Sequence, residues 1–190
     1  MKQHYASALV TGASAGIGTA YARELATRGC DLVLVARRTE RLDALANELG
    51  GAVSVEVLAA DLASAAGLEL KAPKIPASPV ELLINNAGVA SAGPLATVTT
   101  ADLDQLVRLN VLALTRLSRA AVEPMIAAGH GGILNVSSIA GEQPLRGFAT
   151  YGASKSYVTA FTEALNAEVR TAGVHVTVLK PGYVWTEMNP

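Results

Sequence analysis

"TGASAGIG", residues 11–18, is the stretch on which the fold turns. A short apolar run, "SALVTG" (7–12), leads into it, and an amphipathic helical pattern over about 16–29 leaves it. Its glycines are Gly12, Gly16 and Gly18, spaced G-x-x-x-G-x-G rather than in the commoner G-x-G-x-x-G order. The physics of the two spacings is shared. Glycine lets the backbone turn tightly and approach a pyrophosphate, and the first turn of the following helix offers unpaired N–H groups to an anion. Ser14 adds a hydroxyl donor to the loop, and Ile17 opens the helix between two glycines. A glycine-rich turn with no ligand is the plainer alternative. The strand before the loop and the helix after it favour a nucleotide.

Working outward, apolar runs recur with helical patterns between them. "DLVLVA" (31–36), "AVSVEVL" (52–58), "VELLIN" (80–85), "GILNVS" (132–137) and "VHVTVLK" (174–180) are short, rich in β-branched residues and bounded by polar or small ones. The spacing predicts helices over 39–49, 101–128 and 150–172, with Thr100 or Asp102 capping the second of these. Such alternation makes an α/β protein: parallel strands joined by right-handed crossovers, helices on both faces, in one domain over 1–190. Residues 62–79, "LASAAGLELKAPKIPASP", break the rhythm. Pro73, Pro76 and Pro79 forbid a long helix, so a short helix near 62–70 and an irregular crossover are expected.

Composition agrees. Hydrophobic residues make up 51% of the chain and aromatic ones 4%, so aliphatic side chains do the packing, as in buried parallel sheets. A net charge of −1 gives no reason to expect nucleic acid or another polyanion as partner. Cys30 is the only cysteine, which excludes an intrachain disulfide. No run approaches the roughly 20 apolar residues of a membrane span, and the start lacks a leader's apolar run. A cytoplasmic protein with no metal site and no membrane partner is the expectation.

Two further stretches carry chemistry. The second strand ends in Ala36, Arg37 and Arg38. A carboxylate at that point would read an adenosine 2′-hydroxyl, whereas an arginine pairs with a 2′-phosphate. NADP(H) is therefore expected over NAD(H); were the arginines only a solvated helix start, both would bind alike. "YGASK" (151–155) sets Tyr151 and Lys155 one helical turn apart on one face. A cation beside a phenol favours the phenolate, which is a way to build an acid/base near neutral pH. A surface tyrosine and lysine on an alanine-rich helix are the bland alternative.

"TGASAGIG", "NNAG" (85–88), "NVSS" (135–138), "YGASK" and "PGYVWT" (181–186) occur in order and at suitable spacing, and together they resemble the short-chain dehydrogenase/reductase family over essentially the whole chain. The resemblance implies a Rossmann-like doubly wound sheet of order 3-2-1-4-5-6 in three α/β/α layers. It implies that Tyr151 is the acid/base, that Lys155 tunes it and bonds the nicotinamide ribose, and that Ser138 orients the substrate oxygen. Asn110 looks like the family's helix asparagine, which supports a proton-relay water. Asp61 and Leu62 in "AADL" resemble the adenine contact. Asn85, Ala87 and Gly88 resemble the segment passing the cofactor ribose, and Pro181, Gly182 and Thr186 the nicotinamide segment. The reaction so implied is hydride exchange between nicotinamide and a small carbonyl or alcohol.

Members of the family usually continue past P-G-x-x-x-T into a lid and a seventh strand, which this sequence does not include. An NADP-binding module with little or no turnover is therefore the second expectation. The loop 140–150, through Gln143, Leu145 and Phe148, is expected to wall a partly apolar substrate pocket. Helices 101–128 and 150–172 carry apolar residues well round their surfaces, as in "LVRLNVLALTRL" (106–117) and "YVTAFTEALNAEV" (157–169), and predict a homodimer.

Overall fold

The computed structural model describes residues 4–68, 74–75 and 78–185. Thr186 and most of the stretch from 69 to 77 lie outside the described residues. Strands β1 (Ser7–Thr11), β2 (Asp31–Ala36), β3 (Val55–Ala59), β4 (Leu82–Asn85), β5 (Gly131–Val136) and β6 (Val174–Leu179) form one sheet of order β3-β2-β1-β4-β5-β6. Every neighbouring pair is parallel, with Val10 beside Leu34 and Ile84, and Leu134 beside Ile84 and Thr177. This is the expected doubly wound Rossmann-like order.

The period of two along each strand sorts its side chains into two layers. Ala8, Val10, Leu32 and Leu34 face α1 (Gly16–Thr27) and α2 (Thr39–Leu49) through Ala22, Ala26, Leu42 and Leu45. Leu9, Val33, Leu83 and Ile133 face the other layer, where Ala113, Leu117, Ala121 and Met125 pack. That layer holds α4 (Thr100–Val107), α5 (Leu114–Ala128) and α6 (Ala149–Val169); a four-residue α3 (Ala65–Leu68) lies earlier in the chain. An unexpected antiparallel pair joins Lys74–Ile75 to Ser78–Pro79.

Two expectations need correcting. Residues 101–128 are not one regular helix: a π-helical segment, Arg108–Ala113, separates α4 from α5. The cap of α4 is neither Thr100 nor Asp102 but Thr99, whose hydroxyl accepts from the Asp102 amide at 3.1 Å. Thr99 has the extended backbone an N-cap requires, whereas Thr100 is already helical.

Inside the sheet's second layer runs a buried polar chain. Asn85 donates to Ser118 (3.0 Å) and to Asn135 (2.9 Å), and Asn135 donates to Thr162 (2.9 Å). It ties β4 and β5 to α5 and α6, so the C-terminal ends of both strands are fixed against both helices. The connections leaving β1 and β4 turn to opposite faces there, and a crevice opens at that switch point.

Candidate active site

The crevice is a groove of about 590 Å³. At one end stand Arg37, Arg38, Asp61 and Leu62; Gly12, Ser14, Gly16 and Ile17 form the middle with Ala87 and Gly88; Ser138, Tyr151, Lys155, Pro181 and Gly182 close the other end. Three expected residues are not on its wall. Gly18 packs behind the loop, where a Cβ would meet the Gly12 carbonyl oxygen at 2.3 Å. Asn85 is buried in the polar chain described above. Asn110 is buried behind Val89.

The glycine-rich loop after β1 turns tightly and leaves backbone N–H groups open. Gly12 has φ +65°, and a Cβ on it would press on Asn86 and Ala87. The first turn of α1 has no side-chain cap, so its leading N–H groups remain for a ligand. Thr11 laces this loop to the segment after β4: its hydroxyl accepts from the amides of Asn86 (2.9 Å) and Ala87 (3.0 Å) and donates to the Ile84 carbonyl (3.2 Å). Asn86 returns two bonds, to the carbonyls of Thr11 (3.0 Å) and Gly12 (3.2 Å). Neither Thr11 nor Asn86 was singled out from the sequence. The signal available was a hydroxyl and a carboxamide placed immediately after apolar strands, where buried backbone must be satisfied.

At the arginine end, Arg37 is exposed, whereas Arg38 folds back over the loop and donates to the Ser14 hydroxyl from Nε (3.2 Å) and Nη2 (3.1 Å). Arg38, the second of the two arginines that follow β2, is thus a wall of the groove beside Arg37. Asp61 lines the groove and also accepts from the Ala63 amide at 3.0 Å, opening the turn that leads to α3.

At the other end, α6 presents Tyr151 and Lys155 on one face, with Lys155 Nζ 5.8 Å from the Tyr151 ring centroid. Lys155 is buried and donates to the Val136 carbonyl at 2.8 Å; burial pushes its pKa down to about 8. The Tyr151 hydroxyl has no hydrogen-bond partner among the described residues, and Phe148 meets its ring edge-on at 6.3 Å. Ser138 caps a short 3-10 turn, Ile139–Gly141, by accepting from the Ala140 amide at 3.1 Å, which leaves its own proton for another acceptor. Asn110 grips Val89 with both ends of its carboxamide, Oδ1 accepting and Nδ2 donating at 2.9 Å each, and also donates to Ser154 at 3.2 Å. Gly88 lies against both: a Cβ there would lie 3.2 Å from Asn110 Oδ1 and 3.5 Å from Lys155 Nζ. One long groove therefore joins the glycine-rich loop to a phenol, a buried amine and a serine hydroxyl.

The sequence profile described as short chain dehydrogenase matches residues 6–190. The chain belongs to the short-chain dehydrogenase family. Sulfoacetaldehyde reductase of Chromohalobacter salexigens is 39% identical over 184 residues, which span 95% of this chain and 73% of that one. Galactitol 2-dehydrogenase (L-tagatose-forming) of Cereibacter sphaeroides is 40% identical over 187 residues, spanning 97% of this chain and 73% of that one. Among solved structures, the short-chain dehydrogenase from Sphingobium yanoikuyae in complex with NADPH superposes with a TM-score of 0.90 at 40% identity, over 96% of this chain and 72% of that one. This short-chain dehydrogenase is accordingly an oxidoreductase of the class that acts on alcohol and carbonyl groups with a nicotinamide cofactor. Its described helices include none long and apolar enough to cross a membrane.

Proposed function

We propose that this short-chain dehydrogenase interconverts a small carbonyl compound and its alcohol with NADP(H), using Tyr151 as acid/base. The observation that carries the reading is the convergence of Ser138, Tyr151 and Lys155 at one end of a groove whose other end is walled by Arg37 and Arg38. The dinucleotide would lie along the loop from Gly12 to Gly18, with Asp61 and Leu62 at its adenine end and Ala87 and Gly88 beside the ribose. When bound, it supplies or accepts the hydride. Pro181 and Gly182 flank its nicotinamide end, and Thr186 is proposed with them on the sequence alone. Ser138 donates its hydroxyl proton as a hydrogen bond to the substrate oxygen and so fixes that oxygen against Tyr151. The Tyr151 hydroxyl gives its proton to the same oxygen in reduction and takes it back in oxidation. Lys155, held by the Val136 carbonyl, keeps two further N–H donors for a ribose and the phenol. Asn110 holds Val89, and through it the Gly88 backbone, beside the amine.

The charged end supports NADP(H): the groove meets two guanidinium groups and the Ser14 hydroxyl there, and the Sphingobium relative is described in complex with NADPH. The test is NADPH oxidation with a panel of carbonyls (sulfoacetaldehyde, L-tagatose, acetophenone and 2-octanone), run beside NADPH fluorescence titration. Tyr151→Phe is expected to lower kcat on any active substrate by about a thousandfold, within the range of general acid catalysis, while the NADPH Kd moves less than threefold. A Phe variant with near-normal rate overturns the acid/base assignment. Tight NADPH binding with no turnover on the panel leaves a nucleotide-binding module.

A further inference from the structure

The turn that carries Ser138 is docked on α6 backbone to backbone. A Cβ at Gly141 would lie 2.7 Å from the Lys155 carbonyl carbon and 2.8 Å from the Ser156 amide nitrogen. Both are main-chain atoms of a regular helix, which cannot yield as a side chain would. The approach is mutual: a Cβ at Gly152 would lie 3.0 Å from the Ala140 carbonyl oxygen. Two hydroxyls stitch the contact. Ser156 donates to the Gly141 carbonyl at 2.5 Å, and Ser137 donates to the Lys155 carbonyl at 2.7 Å while pairing with Thr159 at 3.0 Å. The far flank of the turn is tied to the segment after β6, by the Ile139 amide on the Pro181 carbonyl (3.1 Å) and by Lys180 on Glu142 (3.0 Å).

We propose that Gly141, with Ser156, is a positioning pair that sets the distance between the Ser138 hydroxyl and the Tyr151 hydroxyl. The inference rests on the roles given above to Ser138 and Tyr151. Those two hydroxyls sit on different elements, and the tightest main-chain approach between the elements is that of Gly141 to Lys155–Ser156. A turn forced outward by one methyl group would carry Ser138 with it. The groove's phosphate loop, on the other side of the sheet's switch point, would stay in place. The signature is therefore loss of rate with cofactor binding kept.

The experiment measures NADPH binding and turnover of the full chain on the most active carbonyl of the panel. Gly141→Ala is expected to lower kcat by about thirtyfold or more, the scale of a displaced reacting group, with the NADPH Kd within about twofold. Ser156→Ala, an exposed change to a better helix former, is expected to cost roughly threefold to tenfold in kcat, and Ser156→Thr, which keeps the hydroxyl, to restore it. If Gly141 acts through Ser138, then Gly141→Ala in a Ser138→Ala background slows the enzyme no further than about twofold. Rates in Gly141→Ala and Ser156→Ala equal to the parent, with Ser138→Ala slow, overturn the positioning pair alone. Multiplicative losses in the double variant do the same. Normal turnover in Ser138→Ala, or no turnover in the parent, overturns the reading of the site and this inference with it. Should Gly141→Ala not fold, the Ser156 pair of variants decides.

Discussion

Lys155 is the residue at which burial and chemistry conflict. Its amine is buried against the Val136 carbonyl, and desolvation lowers its pKa from 10.5 to about 8. The sign of the linked stability follows. Between pH 8 and 10.5 the unfolded chain still holds this proton while the folded chain has released it, so stability rises with pH across that window. Below pH 8 both states are protonated, and the folded state carries the full penalty, at most about 3 kcal/mol for a shift of this size. Lys155→Met should therefore unfold in urea no more easily than the parent at pH 7, and the difference between them should shrink by pH 10. A Met variant that is less stable by the same margin at both pH values contradicts this. The arginines give a second expectation. A charge-assisted bond is worth about 1.5–3 kcal/mol, so loss of a 2′-phosphate partner costs tenfold or more. NADPH should bind at least tenfold tighter than NADH at moderate salt, and Arg37→Ala and Arg38→Ala should each narrow that gap. Equal affinities in the parent, or a gap that survives both substitutions, refutes the preference. Arg37 was legible in the sequence from its place after the strand. The Arg38–Ser14 bond was not, because the two residues lie far apart in the chain and only the closed β1–β2 pair brings them together.

At the scale of elements, the strands were legible where one rule decided them. β1 and β2 start where the polar residues Ser7 and Asp31 meet aliphatic runs, and both begin as expected. β3 starts three residues later than its apolar pattern, because Val53 continues the alternation while its backbone still belongs to the turn after α2. The helices failed where side chains compete for backbone. Thr99, Thr100 and Asp102 can all cap a helix, and sequence alone does not choose among them; the extended backbone of Thr99, with ψ 150°, does. The π segment could not be read at all. What it carries is legible only in three dimensions: Asn110, within the widened turn, bonds both the amide and the carbonyl of Val89. The asparagine itself was visible as an anomaly in a helical pattern, and the resemblance marked it; the geometry that makes it useful came from a loop twenty-one residues earlier. The same holds for the turn of Ser138, whose contact with α6 depends on Gly141, which in sequence looks like an ordinary loop residue.

For the whole molecule, assembly is expected to use the outer face of α4, the π-helical segment, α5 and α6. Apolar side chains stand exposed along it: Val107 at the end of α4 is 45% exposed, Leu112 in the π-helical segment 36% and Tyr157 on α6 38%. Tyr157 stacks on Phe161 at 5.8 Å and bonds Thr115 across the two helices at 2.9 Å, so the face is continuous from α5 to α6 rather than a scatter of single side chains. An isolated exposed leucine requires no explanation, but several exposed apolar side chains on packed helices are the expected signature of an interface. Parallel helices related by a two-fold axis present the same patch to each other, which closes the assembly at two copies. Tyr and Phe at its centre are the residue types that dominate such contacts. The expected species is therefore a homodimer of the 19.5 kDa chain. Leu112→Glu would place a carboxylate at the face without touching the groove, and an unpaired charge at an interface core costs several kcal/mol, enough to give monomers at micromolar concentration. Light scattering coupled to size exclusion reads both masses, and NADPH titration of the variant checks that the groove is intact. A monomeric parent chain, or an assembly whose mass survives Leu112→Glu, refutes the use of this face.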